Sequence, residues 1–262
     1  MKKFIDLLGY ELKNLTRDSM TMILIVYPIM IVLIGSYIIP MVLEQFGEDG
    51  VQSSIVGLVI VIIFASIAPF ITGAMLGFNI LDHRDENTLD TIRVTPLSLK
   101  GYMRFKSIYA YVLCVMASFV TVYGVKVLSG DRYTVQGFNF FDQLSVGMTL
   151  TYALVAGLFA PMFGLFLGGV AKNKIEGFAY MKTFGIFAVL PGLLVINALQ
   201  DWKQYLLGVI PTFWPVKGLM VHASLLNNTS DLPVWGYHSI GVIFMAGLTI
   251  VCYRYFESKI QA

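Results

Sequence analysis

Polar positions in this chain are confined to short stretches, and between them lie six long apolar blocks: residues 22–41, 55–81, 107–125, 144–171, 183–199 and 234–253. None of the six contains Asp, Glu, Lys or Arg. A helix needs about 20 residues, each rising ~1.5 Å, to cross the hydrocarbon core of a bilayer, so each block predicts a membrane-spanning helix. The fifth block is the shortest; 177–181 extends it on the N-terminal side, with Lys182 reaching to the interface. Buried helices of a soluble protein would carry a charged face, and these blocks have none. The pattern predicts an all-α membrane protein with six transmembrane helices.

Composition adds that little else is present. Of the 262 residues, 57% are hydrophobic and 13% charged, which suits a single transmembrane domain over 1–262. The longest stretch without a clear span, 200–233, is too short for an independent catalytic domain. The first residues are charged throughout, unlike a cleaved secretory signal. The net charge of +2 matters less than its distribution. With the N-terminus in the cytoplasm, the inner side holds Lys2, Lys3, Lys13, Arg17, Arg84, Arg93, Lys100, Arg104, Lys106, Lys172, Lys174, Lys182, Arg254 and Lys259. The outer side holds only Lys126, Arg132, Lys203 and Lys217. Basic residues of short loops stay cytoplasmic, so both termini are expected inside, in a multi-pass protein of the cell (plasma) membrane. The basic residues act as topology determinants, and no nucleic-acid surface is expected.

The chemistry that is missing narrows the function. There is no G-x-x-x-x-G-K-[ST] loop, so no nucleotide is expected on this chain, and no H-E-x-x-H or G-x-S-x-G signature. His83, His222 and His238 are too scattered in sequence to suggest a metal site. Cys114 and Cys252 fall inside spans and read as apolar packing residues. The sequons around Asn227 and Asn228 are silent in a bacterium. No carboxylate lies within a span to carry a coupling ion. Uphill transport by such a chain needs energy from another protein. An intramembrane enzyme is the alternative from a different class.

Between the second and third spans, Asp82, Asp85 and Glu86 crowd the start of a segment that has Arg93 near its end, the charge order that favours a helix through its dipole. Pro96 supplies the stop. Leu81, Leu89 and Ile92 share one face while the carboxylates point away. Such a helix suits a solvated connector, and equally a rigid element gripped by a cytoplasmic partner. At the N-terminus, Phe4, Leu7, Leu8, Leu12 and Leu15 line one face at helical spacing, as an interfacial helix over 1–19 requires. Glu11 falls inside that apolar arc: it either bends to the headgroups or pairs with a basic cytoplasmic residue.

These segments resemble the permease subunits of ABC exporters of the type-2 permease family. The loop after the second span in that family carries charged residues, Gly-Thr-Leu-Glu, one or two apolar residues and Thr-Pro. Here the order is Arg84-Asp85-Glu86-Asn87-Thr88-Leu89-Asp90, then Ile92, then Thr95-Pro96, with Asn87 in place of the usual Gly. Residues 11–19 followed by Pro28 are similar to the family's interfacial helix and its exit into the bilayer. The resemblance implies a type V ABC exporter-like fold. It makes 82–95 a coupling helix docked on the ATPase, with Asp82, Arg84, Asp85, Glu86, Thr88, Leu89, Asp90, Ile92 and Arg93 as ATPase-coupling residues. It also implies an ABC ATPase (nucleotide-binding) subunit that binds the ATP and Mg, and a second permease subunit in a homo- or heterodimer among membrane lipids.

In 200–233 the apolar stretch 206–216 is too short to span and is broken by Pro211 and Pro215. Backbone of that kind survives at membrane depth only when buried in protein or lining a cavity. A re-entrant segment before the last span fits, as the family resemblance also implies, and a surface loop is the alternative. Trp202, Tyr205, Trp214 and Trp235 are expected as anchors at the outer interface. Gly73-x-x-x-Gly77 and Gly164-x-x-x-Gly168 permit close helix contact without naming a partner. Pro69, Pro161 and Pro191 are expected to interrupt the second, fourth and fifth spans. Aromatic and Met side chains in the spans, with no charge among them, favour an amphipathic or apolar cargo such as a drug. A lipid or lipid-linked glycan is the alternative. The fifth span is the candidate pathway wall, through Phe184, Phe187 and Asn197, although Asn197 serves equally well as a packing residue.

Overall fold

In a computed structural model of the chain, the described residues are 9, 19–45, 51–86, 88, 99–135, 138–196, 201–223 and 232–261. Six helices among them are long and apolar enough to cross a membrane: Met22–Glu44, Val56–Asp85, Leu99–Arg132, Val146–Val170, Lys174–Val195 and Val234–Lys259. The protein is a helical multi-pass membrane protein. Extended structure among the described residues amounts to a two-residue antiparallel pair, β1 (Thr134–Val135) with β2 (Phe138–Asn139), in the loop before the fourth span.

The first span consists of α1 (Ser19–Leu33), a π-helical turn (Ile34–Ile38) and α2 (Ile39–Gln45). The wide turn precedes Pro40, whose ring would collide with the carbonyl four residues earlier in a regular helix. Gly35 lies within this turn, and a Cβ there would be 2.8 Å from Val125 and 2.9 Å from Phe64. Its carbonyl accepts a 2.6 Å hydrogen bond from the Tyr133 hydroxyl, which ties the loop before the fourth span to the irregular turn of the first.

The second span, α3 (Val51–Asp85), is one unbroken helix through Pro69, contrary to the interruption expected there. A proline at 69 has no N–H for the carbonyl of Ala65. The Tyr152 hydroxyl donates to that carbonyl instead, and Tyr152 is fully buried. The third span is α4 (Leu99–Ser129). In the fourth span the break falls at Leu158, between α5 (Val146–Gly157) and α6 (Phe159–Val170), three residues before Pro161. Residue 157, the last of α5, is where the Pro161 ring would otherwise clash.

The core seam lies between α3 and α6, which run parallel. Gly73 of α3 receives Ala160 and Phe163, and Gly77 receives Leu167. In return, Gly164 of α6 receives Leu76 and Gly168 receives Ile80. The two small-x-x-x-small motifs are thus complementary halves of one contact, the close packing that drives helix association where lipid removes the hydrophobic force.

Beyond α7 (Lys174–Phe184) and α8 (Ile186–Val189), the fifth span tightens into a 3₁₀ stretch over Leu190–Val195, with Pro191 near its start. The segment before the last span holds a 3₁₀ helix over Trp202–Val209 and α9 (Phe213–His222), and the chain then enters α10 (Val234–Gln261).

Candidate functional site: the junction at the end of α3 and the segment before the last span

At the C-terminal end of α3, Asp82, Arg84 and Asp85 belong first to the helix itself, which continues through Asp85 and turns at Glu86, whose N–H donates to Asp82 O at 2.9 Å. Arg84 is held on the fourth span. Its Nη1 and Nη2 donate to the carbonyls of Ala171 and Gly168, each at 2.8 Å. Those are last-turn carbonyls of α6, where a cation is favoured by the helix dipole and by the unpaired acceptors. Asp82 forms an ion pair with Lys174, and Asp85 accepts from the backbone N–H of Lys174 at 3.3 Å, opposite charge at the N-terminus of α7. Asn173 caps the same helix by accepting from Glu176 N at 2.9 Å, while Glu176 reaches back to Lys172 N at 2.7 Å, a reciprocal capping box.

His83 joins two further elements. Its Nδ1 is 2.8 Å from the Thr88 hydroxyl, which also donates to His83 O at 3.0 Å, and its Nε2 is 2.8 Å from the Tyr102 hydroxyl of α4. Lys100, at the start of α4, pairs with Glu257 near the end of α10. The C-terminal end of α3 is therefore pinned to the third, fourth and fifth spans. Of the coupling residues read from the sequence, Asp82, Arg84 and Asp85 face partners within the chain, Glu86 is exposed and Thr88 is half-buried. Leu89, Asp90, Ile92 and Arg93 lie outside the described residues, as do Glu11 and Asn197. His83 lies within the 82–95 segment but is not among the coupling residues expected there. No spacing in the sequence connects Tyr102, Lys174 or Glu257 to the junction.

The two described residues of the pathway wall come together. Phe184 and Phe187 are 5.2 Å apart by ring centroid, and Phe184 also meets Phe166 at 5.0 Å and Phe163 at 6.2 Å. Phe163 in turn meets Phe70 at 5.0 Å, so the fifth span's aromatic edge is continuous with the second and fourth spans.

Before the last span, α9 lies along α10 in the opposite direction. Gly218 packs against the His238 ring, and Trp214 and Pro215 pack against Gly241. The start of α9 is thereby about 10 Å further along α10 than Val234, at ~1.5 Å per residue. There the Thr212 hydroxyl donates to Phe187 O at 3.2 Å. Phe213, Val216, Leu219 and Met220 share one buried cluster with Val61, Ile62 and Ala65 of α3 and Ala153 and Ala156 of α5. Trp202 and Trp235 are exposed as interface anchors should be, but Trp214 is packed inward and its indole N–H donates to Gly208 O at 2.9 Å.

Lys217, expected among the outer-loop charges, is only 1% exposed, and its ammonium lies 5.9 Å over the Tyr237 ring. Lys106 is likewise buried, 5.6 Å over Tyr102. Contrary to the expectation of spans with no charge among their side chains, the bundle therefore holds buried cations, each beside an aromatic face. His222 and His238, far apart in sequence, meet with ring centroids 5.7 Å apart.

Residues 11–253 match the family described as fluoroquinolones export permease protein Rv2686c-like. The chain belongs to that family. Relatives include the fluoroquinolones export permease proteins Rv2686c and MT2760 of two Mycobacterium tuberculosis strains. Each is 26% identical over 255 residues, covering 95% of this chain and 92% of the relative. The family bears out the resemblance to ABC exporter permeases, and the chain is a transporter subunit rather than an enzyme.

Proposed function

We propose that this permease exports amphipathic drugs of the fluoroquinolone kind across the cell membrane, driven by ATP hydrolysis on a separate ABC ATPase subunit. The observation that carries the reading is the family match over residues 11–253 of a chain with six candidate spans. It favours a drug over the lipid-linked glycan that the apolar spans also allow. In this reading the protein has a type V, type-2 permease architecture, works as a homo- or heterodimer of permease subunits, and keeps both termini in the cytoplasm. The interfacial helix is 1–19, with Glu11 in an ion pair. Residues 82–95 form the coupling helix, the partner ATPase holds the ATP and Mg, and 200–233 is re-entrant. The antiparallel packing of α9 on α10 supports the last point, since its start contacts residues well inside the last span.

The mechanism follows from the junction. Closure of the ATPases would push on the coupling helix. Arg84, Asp82, Asp85 and His83 would pass the push to the fourth, fifth and third spans together, because each of these residues is bonded to one of them. A conformational drive of this kind requires contacts that differ between two states. The aromatic edge of Phe184 and Phe187, with Asn197, would offer the cargo its path. Apolar walls discriminate by only ~1–3 kcal/mol per methylene, so a broad range of cargo is expected.

Cells making this chain with its ATPase partner should accumulate less fluoroquinolone than cells making an ATPase inactivated in its P-loop. Equal drug accumulation in both, with ATPase stimulation by a lipid-linked sugar, would select the glycan instead.

A further inference from the structure

Buried imidazoles almost always find hydrogen-bond partners, and those that do not call for an explanation such as a bound ion. His238 is 3% exposed, and among the described residues neither Nδ1 nor Nε2 has a partner. His222 is half-buried, and its Nε2 has none among them either. The two rings belong to different elements, α9 and α10, yet face each other with centroids 5.7 Å apart and planes inclined by 33°. Gly218, one turn before His222, makes the approach possible: a Cβ there would lie 2.5 Å from the His238 ring.

We propose that His222 and His238 form an open two-imidazole site for a borderline divalent transition-metal ion, such as Zn²⁺ or Cu²⁺, at the outer end of the bundle. Nitrogen ligands bind such ions at ~2.0–2.1 Å, so two rings on one ion have centroids about 5–6.5 Å apart, depending on the angle at the metal. The observed separation falls within that range. Imidazole selects Zn, Cu or Ni over Mg or Ca, which prefer oxygen. Among the described residues no third His, Cys, Asp or Glu completes a cluster, so the remaining positions go to water or to oxygen atoms of a cargo. The half-exposed His222 provides the way in. Lys217 is directed to Tyr237, about 100° around α10 from His238 at 3.6 residues per turn, and does not compete for the same face. An ion held by both rings staples α9 to the last span.

The test uses untagged full-length protein in lipid nanodiscs, titrated with Zn²⁺ against a chromophoric chelator and, separately, with Cu²⁺ followed by electron paramagnetic resonance. The expected result is one saturable equivalent, nitrogen coupling from two imidazoles, and affinity lowered about tenfold or more in His222→Gln and in His238→Gln, because each removes one of two ligands. Absence of saturable binding would mean that water alone satisfies the rings, and would overturn the proposal. Unchanged binding in both variants would do the same. If His238→Gln does not fold, His222→Gln and the wild-type Cu²⁺ spectrum decide: coupling to fewer than two imidazole nitrogens excludes the site.

Discussion

The fourth and fifth spans are neighbours in the chain with opposite surroundings: most of the fourth is buried within the molecule and most of the fifth is not. The fourth is built from small residues and aromatics that interlock with α3, whereas the fifth exposes Ile175, Phe178, Ile186 and Val189. The difference separates two jobs. A helix enclosed by its own chain transmits force, because close-packed interiors are bistable rather than continuously deformable. A helix pinned at its N-terminal end and uncovered along its length has a surface available to lipid, a second subunit or cargo. In the proposed mechanism the Arg84 bonds to Gly168 and Ala171 belong to the first job, the Asp82 and Asp85 contacts with Lys174 are the pin of the second helix, and the aromatic edge of Phe184 and Phe187 belongs to its open surface.

The contrast can be broken most severely at the seam. Gly164→Leu forces a side chain where even a Cβ would be 2.6 Å from Leu76. The overpacking should cost about 3 kcal/mol or more, visible as a lost monodisperse peak or a large fall in Tm. Gly247→Leu, where nothing lies within 4 Å of a Cβ, should leave both unchanged. Next comes Arg84→Ala, which strands two carbonyls at the end of α6. Its expected cost is about 2–3 kcal/mol, the range for bonds to charged groups, measured by thermal unfolding in detergent. Arg84→Lys should recover only part, since one ammonium lacks the guanidinium fork. Tyr152→Phe removes the donor to Ala65 and should cost about 1 kcal/mol, typical of hydrogen bonds between membrane helices. The smallest effect sharpens the comparison from the other side. Ile186→Ala with Val189→Ala should change stability by under about 0.5 kcal/mol, as for exposed sites, while lowering drug export in the assembled transporter. Unaltered export would remove the fifth span as the wall.

How much of this was legible in the sequence depends on range. Six spans could be read because bilayer thickness imposes a length that uncharged blocks either meet or miss. The glycine motifs were visible, but their pairing was not: any small-x-x-x-small repeat permits contact, and only the packed helices show Gly77 receiving Leu167. Pro69 looked like an interruption because its remedy, the Tyr152 hydroxyl, lies in another span. Lys217 looked like a loop charge because a basic residue between two prolines and a polar stretch carries no sign that an aromatic ring will cover it. At the end of α3, charge order marked Asp82–Asp85 as special but could not name Ala171, Lys174 or Tyr102 as their partners. Those contacts join residues far apart along the chain.

The Tyr152–Ala65 bond also bears on biogenesis. The second span leaves the ribosome with one carbonyl that its own helix cannot satisfy, and the hydroxyl that satisfies it is encoded 87 residues later. An unmet backbone carbonyl is disfavoured in hydrocarbon. The second span should therefore linger beside the aqueous channel of the insertion machinery and move fully into lipid only with the fourth. In that order of events, the seam between them forms as the chain is being made.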